Sequence, residues 1–597
     1  MRPTRLPLSP PTRERVAQTV ETQFEKYKNA RSGNIGDVLR DSSSLLYSIP
    51  DSEEDCIPLL YPHALLVEFL NKEKLREVLE QLFETSGHSV GRGIDYYVEK
   101  ICGNGKPDRF GEYGRLFAIL ALSEKSEQIF KFIDQGVGDS SLPLGRSEKF
   151  DKRALLYRKG ESSEPLPFTQ KWSAASRETF SYLQPRVNLP CFEHVSGGGV
   201  QHQDFQDNAI MPWIEYLPEP RGPQGSGAQS KAVSNGFGGG FCDIIRVVIH
   251  DGHHKFDGLS EAEITGPILS FAIKKLHTTE EEKFRKEVRM LSHFGGMDHT
   301  VRLLGTFSQK GQYSLIFPWA ECDLTEYWRR VQVLSQEEWS VPNLARWISQ
   351  QCCGILEALK NMHEASQDPN LNDDLLKADD AKKDDPDNSL FGRHGDLKPE
   401  NILWFNDSAD PDNIAAGRLV ISDFGLSAAN HKNSRTFTHP GNIAHTSTYA
   451  PPEIKFKIEG VHVSRACDIW SLGCVFLEFV TWLLGGGELV KRFEDSRYVH
   501  HEEVHVEMDF FWQSDGGSYV VKSQVVDWFK TLRGHENATS YTQDFLDIIQ
   551  KDMLLIDKDK RLKSKELLKT FKALNKKCQD DEYCTPGIHL AFGRTSL

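Results

Sequence analysis

The sequence predicts an α+β protein, in which a mostly helical N-terminal domain precedes a region that begins with strands and continues with helices. Apolar residues recur every three or four positions between residues 65 and 83, which is the spacing of a buried helix face. β-branched residues dominate 244–249, as in a strand, and helical spacing returns at 347–363. At 597 residues the chain is too long for one core, so we expect two or more domains.

Composition excludes several classes of function. The chain has 71 basic and 86 acidic residues, and the net charge of −15 argues against nucleic acid as its main partner. Its 11 cysteines form no CxxC pair, which indicates reduced thiols and a cytoplasmic or nuclear location. The longest apolar run, 472–484, is shorter than the roughly 20 residues of a membrane span. The N-terminus shows no secretory signal. We therefore expect an intracellular protein without a membrane span.

The N-terminal part divides into three by composition. Residues 1–20 are rich in Pro and Arg and predict a disordered tail, and residues 21–150 predict a helical domain. That domain carries no catalytic constellation. We favour a regulatory or partner-binding role for it, with a purely structural extension as the alternative. Residues 151–231 read as a linker or extended region. Cys191, His194 and His202 lie close together there, but their spacing matches no common zinc pattern.

The strongest chemical signal is the run His-Gly-Asp-Leu-Lys-Pro-Glu-Asn at 394–401, followed by Asp-Phe-Gly at 423–425. Phosphoryl transfer requires an Asp that accepts the proton of the attacking hydroxyl and a Lys that neutralises the moving phosphate. It also requires an Asn and a second Asp that hold Mg²⁺ against the phosphate oxygens. Asp396, Lys398, Asn401 and Asp423 have these types at the required spacing.

These motifs resemble the catalytic core of the eukaryotic-type Ser/Thr protein kinases over residues 232–575, leaving 576–597 as a C-terminal tail. The resemblance implies a bilobal fold, with a small β-rich N-lobe and a larger helical C-lobe. It also implies ATP and Mg²⁺ as cofactors and a protein substrate. The runs 392–396, 401–405 and 481–486 look more narrowly like a kinase-like family of filamentous fungi, which brings no known substrate.

The resemblance also implies a nucleotide site. Its Gly-rich loop is Gly238, Gly239 and Gly240 before the strand residue Ile244, although the glycine spacing is irregular. Isolated glycine runs are usually flexible loops, so this signal is weak on its own.

The Phe-Ala-Ile-Lys run at 271–274 implies that Ala272 packs on adenine and that Lys274 reaches the phosphates. Glu287 is the expected partner of Lys274, and Glu282 is a less favoured substitute. Phe317 takes the gatekeeper position.

The hinge that reads adenine would then be 318–320, with Pro318 offering a carbonyl but no N–H, and Ala320 offering its N–H.

Other implied features lie in the C-lobe. Thr446 would bridge Asp396 and Lys398, and Glu453 would pair with Arg561. Asp468 would cap the backbone of residues 394–401, which form the catalytic loop of that family.

Two features depart from the family pattern. The insert 364–393 is long and acidic, and is most simply a solvated loop, with docking of a basic partner as the alternative. Gly395 replaces the usual Arg, a cation that in many kinases pairs with a phosphorylated activation loop. Because no proton-transfer or metal-binding group is lost, we expect an active site that depends less on that phosphorylation.

Three functions remain open at this point. A protein kinase is preferred because Lys274, Asp396 and Asp423 are all present. A pseudokinase or scaffold that binds partners without phosphoryl transfer is the main alternative, motivated by the irregular glycine loop and Gly395. A small-molecule kinase is disfavoured by Lys398 and by the Pro-Pro-Glu segment at 451–453, which serve peptide substrates.

Overall fold

The structure is a computed structural model. It describes residues 13–29, 34–47, 60–87, 92–104, 109–146, 156–158, 165–193, 200–216, 242–250, 252–256, 269–277, 281–331, 341–365, 393–406, 417–424, 448–455, 464–501 and 506–586. The predicted bilobal α+β architecture with a helical N-terminal region is confirmed.

The N-terminal helical domain is built on one apolar core. Its helices are Arg13–Asn29, Ile35–Tyr47, His63–Phe69, Lys72–Thr85, Ile94–Cys102, Gly114–Leu122, Ile129–Asp134 and Ala174–Val187. A short hairpin of Gly145–Arg146 and Leu156–Tyr157 accompanies them. The first helix begins inside the stretch that composition assigned to a disordered tail. Val16, Val20 and Phe24 are spaced four apart on it and are all buried, which supplies the stabilising helix face.

The small lobe contains, within the described ranges, a six-stranded sheet. Its strands, in spatial order, are His202–Asp204, Gly305–Gln309, Gln312–Pro318, Phe271–Leu276, Cys242–Ile249 and Trp213–Tyr216. Both edge strands come from residues 151–231, for which the sequence predicts a linker or extended region. They are three and four residues long, which is too short for an alternation of apolar and polar residues to be recognised in the sequence. The helix Glu281–Phe294 follows the strand that carries Lys274.

The large lobe is mostly helical and surrounds one long helix. Its helices are Leu324–Arg330, Val341–Ala365, Pro452–Lys455, Ala466–Arg497, Ser523–Arg533, Ser540–Ile548, Ser564–Lys577 and Asp581–Cys584. Its strands are Cys322–Asp323, Ile402–Phe405, Arg418–Ile421, Val499–His501, Val506–Met508, Trp512–Asp515 and Ser518–Val521. The described part of the predicted C-terminal tail packs on this lobe, since Cys578 and Cys584 are fully buried. The short strand His254–Lys255 instead pairs with Phe192–Glu193 beside the small lobe.

Ala466–Arg497, which we call the central helix, forms the core of the large lobe. By length and composition alone it would be able to cross a membrane, but 94% of its most apolar window is buried inside the protein. Its backbone breaks at Gly486, where φ is 68°. The apolar run noted in the sequence is therefore the segment around which the large lobe packs.

The N-terminal domain contacts the small lobe through His253. The backbone N–H of His63 donates to Nε2 of His253 (2.8 Å), and Nδ1 of His253 lies 2.7 Å from the Pro190 carbonyl oxygen. A carbonyl oxygen only accepts and an N–H only donates, so the ring is neutral and carries its proton on Nδ1. Burial lowers the pKa of His253 to about 3, which keeps the ring neutral.

Candidate active site

Lys274 lies where the two lobes meet, on the third strand from the Trp213–Tyr216 edge of the sheet. Its Nζ donates to Glu287 Oε1 (2.9 Å) and to Asp423 Oδ1 (2.8 Å). Glu287 belongs to the helix Glu281–Phe294 and Asp423 to the large lobe, so one ammonium group joins three separate parts of the fold. Glu282 on the same helix is exposed. Tertiary packing thus selects Glu287 as the partner of Lys274.

The carboxylates beside Lys274 stabilise its positive charge. Burial lowers the pKa of Lys274, but the carboxylates of Asp423 and Glu287 raise it more, and the net result is a pKa well above its usual value. The side chains of Lys274 and Glu287 are each 11% exposed, whereas that of Asp423 is 44% exposed. The open side of this ion-pair network is therefore at Asp423.

The residues expected at the nucleotide share one face of the sheet. Directly opposed residues in an antiparallel pair point the same way, as do residues two apart on a strand. Ile244 pairs with Lys274, and Ala272 pairs with Phe317, so all four lie on the face that Lys274 presents to Asp423. Phe317 is buried, as a side chain that closes the back of a pocket should be.

The hinge begins where the strand Gln312–Pro318 ends. Pro318 pairs with Phe271, and the next N–H, that of Trp319, donates to the Ser270 carbonyl oxygen (3.2 Å). That bond satisfies the Trp319 N–H. Ala320, the predicted adenine-reading N–H, follows directly.

Two side chains of the catalytic loop, Lys398 and Asn401, contact Asp396. Lys398 Nζ lies 3.0 Å from Asp396 Oδ2, and Asn401 Nδ2 donates to the same oxygen (3.0 Å) and to the Asp396 carbonyl oxygen (2.8 Å). Burial raises the pKa of Asp396 and Lys398 opposes that rise, leaving the pKa above its usual value. A carboxylate with a raised pKa is a better proton acceptor than an exposed one.

The backbone of this loop is fixed by Asp468 at the start of the central helix. Asp468 Oδ2 accepts from the His394 N–H (2.9 Å) and Oδ1 accepts from the Gly395 N–H (2.8 Å). His363 Nε2 lies 2.9 Å from Oδ2 as well. The predicted capping role of Asp468 is thus present in the structure. Gly395 has φ of 84°, a conformation that glycine adopts without steric cost.

Asp423 is itself held in an uncommon conformation, with φ of 59°. A non-glycine residue in this region is strained by about 1 kcal/mol or more, and such strain often marks functional sites. The neighbouring Phe424 is buried, and its ring lies 5.5 Å from that of His394, whose Nε2 is 2.9 Å from the Ser422 carbonyl oxygen. Packing around Phe424 therefore orients Asp423 toward Lys274.

Asn401 and Asp423 are the residues that would hold Mg²⁺. The side-chain nitrogen Nδ2 of Asn401 donates to Asp396, so the side-chain oxygen Oδ1 of Asn401 is the atom that can act as a metal ligand. Carboxylate and amide oxygens are the ligands that Mg²⁺ prefers, and Mg²⁺ usually takes only one or two protein ligands besides phosphate and water. The donor set fits the ion. Over the described ranges, no larger cluster of His, Cys, Asp or Glu suited to a metal occurs.

A further expected contact supports the large lobe. Arg561 donates to both carboxylate oxygens of Glu453, at 2.6 and 3.0 Å, and the Arg561 side chain is fully buried. This ion pair agrees with the expectation from the sequence.

Some predicted residues lie outside the described ranges. They are Gly238, Gly239 and Gly240 of the Gly-rich loop, together with Thr446. The insert 364–393 also lies almost entirely outside them. The connection that contains the three glycines joins Trp213–Tyr216 to Cys242–Ile249, which are antiparallel neighbours in the sheet.

Two further contacts are not signalled by the sequence. His202, considered only as a metal ligand, packs its ring 5.1 Å from that of Phe284 on the helix that carries Glu287. Its Nδ1 lies 3.0 Å from Thr306 Oγ1. The second joins residues 509–512 to residues 448–450, where Thr448 Oγ1 donates to Asp509 Oδ1 (2.6 Å) and Trp512 Nε1 donates to the Ala450 carbonyl oxygen (2.9 Å). Both join segments remote in sequence, so no local pattern signals them.

Comparison with known proteins identifies the matched region. A family model described as protein kinase domain matches residues 391–571. The meiosis induction protein kinase IME2/SME1 of Saccharomyces cerevisiae is 27% identical over 217 residues, covering 34% of this chain and 27% of that protein. The mitogen-activated protein kinase kinase 5 of Leishmania mexicana is 26% identical over 310 residues, covering 50% of this chain and 44% of that protein. The chain thus spans less than half the length of either relative. The N-terminal helical domain lies outside the family-model match.

Proposed function

We propose that this chain, which matches a protein kinase domain model over residues 391–571, transfers the γ-phosphoryl group of ATP to Ser or Thr hydroxyls of protein substrates. The observation that carries the proposal is the simultaneous pairing of Lys274 with Glu287 and Asp423. This contact assembles groups from the small lobe, its helix and the large lobe into one site, as phosphoryl transfer in this family requires.

Each of the site residues has a separate role in the proposed reaction. Asp396 accepts the proton of the attacking hydroxyl, and its raised pKa suits that role. Lys398, 3.0 Å from Asp396, supplies positive charge beside the transferred phosphoryl group. Lys274 orients the nucleotide phosphates. Mg²⁺, held by Asn401 and Asp423, would neutralise the charge on the phosphate oxygens.

The preference for Ser and Thr rests on Lys398 together with Thr446. In the family that this chain resembles, these two types accompany Ser/Thr specificity.

The test uses the purified full chain with Mg²⁺, radiolabelled ATP and a degenerate peptide library that fixes Ser, Thr or Tyr at the centre. We expect phosphate incorporation into the Ser and Thr libraries. Asp396→Asn removes the proton acceptor without changing shape, and should lower kcat by about 10²-fold or more. Asp527→Asn is the matched control, because this side chain is 69% exposed and pairs with Lys530 on its own helix. Equal activity in the two variants would contradict the role of Asp396, and labelling of the Tyr library alone would contradict the specificity.

A second candidate is a nucleotide-binding pseudokinase that acts through partners of the N-terminal domain. The irregular glycine spacing of 236–242 favours it. It predicts that Mg²⁺–ATP raises the melting temperature while no peptide or protein is labelled. Labelling that Asp396→Asn abolishes would exclude it.

A further inference from the structure

Arg246 brings a cation onto the face of the sheet that the expected nucleotide residues share. It lies on the strand Cys242–Ile249, two residues after Ile244, and it pairs directly with Ala272 on the neighbouring strand. Opposed residues of an antiparallel pair point the same way, as do residues two apart on a strand. The Arg246 side chain therefore leaves the sheet beside Ala272, the residue expected to pack on adenine.

The guanidinium group of Arg246 joins the strand before Lys274 to the hinge. Its Nη2 donates to Ser270 Oγ (3.1 Å), and its central carbon lies 5.2 Å from the centre of the Trp319 ring, which is a cation–π contact. Ser270 is buried, and its carbonyl oxygen accepts from the Trp319 N–H (3.2 Å). Trp319 is therefore held twice, by its backbone at Ser270 and by its ring at Arg246.

This double attachment acts on the peptide group that is expected to read the base. The peptide group between Trp319 and Ala320 carries the Ala320 N–H, so the backbone of Trp319 sets the direction in which that N–H points. On the other side, the ring of Pro318 fixes its own φ. A hinge that is already held in its binding conformation loses little backbone freedom when the base binds, and this lowers the dissociation constant.

Arg246 lies at the base end of the site and not at its phosphate end. Ala272, its partner in the sheet, is two residues from Lys274, which separates the two positions by about 7 Å along the strand. Lys274 contacts Asp423, where the phosphates and Mg²⁺ would bind, whereas Arg246 contacts Trp319 of the hinge. These contacts favour an effect of Arg246 on the base over a direct effect on the phosphates.

We propose that Arg246 is a positioning residue that acts through Trp319 and holds the hinge in the conformation that binds adenine. The proposal rests on the kinase function proposed above and deepens it, because it names a residue outside the hinge that sets the affinity for the base. Arg246, Ser270 and Trp319 all lie outside the family-model match at 391–571.

The first experiment measures binding by isothermal titration calorimetry of the full chain, with Mg²⁺–ATP and with Mg²⁺–tripolyphosphate, which has no base. Arg246→Met keeps most of the side-chain length but removes the guanidinium group. We expect Kd for ATP to rise about three- to tenfold, as for one lost cation–π contact and its hydrogen bond, and Kd for tripolyphosphate to stay unchanged. Arg246→Lys keeps a cation that can lie over the Trp319 ring, and it should restore most of the affinity for ATP.

Arg186→Met is the matched control, because it removes a guanidinium group that lies 3.5 Å from the centre of the Tyr182 ring in the N-terminal helical domain. It should bind both ligands as the wild type does. An unchanged Kd for ATP in Arg246→Met would overturn the proposal. An equal rise of Kd for both ligands would also overturn it, and thermal denaturation of the variant would then show whether folding or charge is the cause.

The second experiment is a double-mutant cycle that tests whether Arg246 acts through Trp319. Trp319→Leu alone should raise Kd for ATP, and adding Arg246→Met should raise it little further, because the contact is already lost. If Arg246→Met keeps its full effect in the Trp319→Leu chain, the proposal fails.

The binding measurements separate this proposal from the kinase function. If the wild-type chain binds Mg²⁺–ATP but labels no peptide or protein, the kinase function fails, and the Kd values still decide the role of Arg246. If the wild-type chain binds no Mg²⁺–ATP, both proposals fail.

Discussion

The contact of Lys274 with Glu287 offers a sharp test of the site, through the variant Glu287→Gln. Gln has the same shape and can still accept a hydrogen bond, but it carries no charge to pair with the ammonium group. We assign Asp423 to Mg²⁺, so Glu287 is the carboxylate that remains to orient Lys274 when the nucleotide is bound. The helix Glu281–Phe294 would then lose its ionic link to the sheet.

The expected magnitude follows from the burial of this pair. Lys274 and Glu287 are each 11% exposed, so their contact is little screened by solvent. A hydrogen bond to a charged group contributes about 1.5–3 kcal/mol. Gln keeps a neutral hydrogen bond of about 0.5–1.5 kcal/mol, so the variant loses about 1–2 kcal/mol, and kcat/KM for ATP should fall by about 5- to 30-fold. The free energy of unfolding should change much less, because Lys274 keeps Asp423 as a partner in the free protein.

The assay is steady-state kinetics with varied ATP at a saturating concentration of peptide, together with thermal denaturation of each variant. Glu282→Gln is the control, because it makes the same chemical change at an exposed position of the same helix. We expect Glu282→Gln to behave as the wild type. Equal kcat/KM values for the two variants would refute the assignment of Glu287.

Three further predictions concern the loop, the domain contact and the Glu287 helix. Gly395→Ala should cost about 1–2 kcal/mol of unfolding free energy in chemical denaturation, because φ is 84°, whereas Gly534→Ala, at φ of −93°, should cost much less. The pKa of His253 is lowered from 6.5 to about 3, so its stabilising contribution is complete above pH 6.5 and is lost as the pH falls toward 3. His253→Asn should flatten that acid dependence in melting temperatures measured between pH 7 and 4, and an unchanged slope would contradict the assignment. His202→Ala removes the ring packed on Phe284 and should raise KM for ATP, whereas His202→Phe should restore it; equal KM values in both variants would show that the packing is irrelevant.

Local spacing was sufficient to predict the catalytic loop. Its proposed roles fall to Asp396, Lys398 and Asn401, which are two to five positions apart, and a short turn brings these side chains together. The capping of that loop by Asp468 was expected from resemblance to a family and not from local spacing, since Asp468 lies 73 residues beyond Gly395. The predicted helical N-terminal region followed from apolar periodicity.

Contacts between segments that are remote in sequence can be recognised only in the tertiary structure. Glu282 and Glu287 are the same residue type on one helix, and the helix's packing against the sheet is what turns Glu287 toward Lys274. The edge strands His202–Asp204 and Trp213–Tyr216 are too short to carry a pattern, and backbone pairing alone places them in the sheet.

The chain's sequence therefore determined which chemical groups are available and how the catalytic loop spaces them. Its tertiary structure decided which carboxylate meets Lys274 and that residues 509–512 contact residues 448–450. The physical reason is that hydrogen bonds and ion pairs act over a few ångströms. The number of residues between two positions does not show how far apart they lie in space.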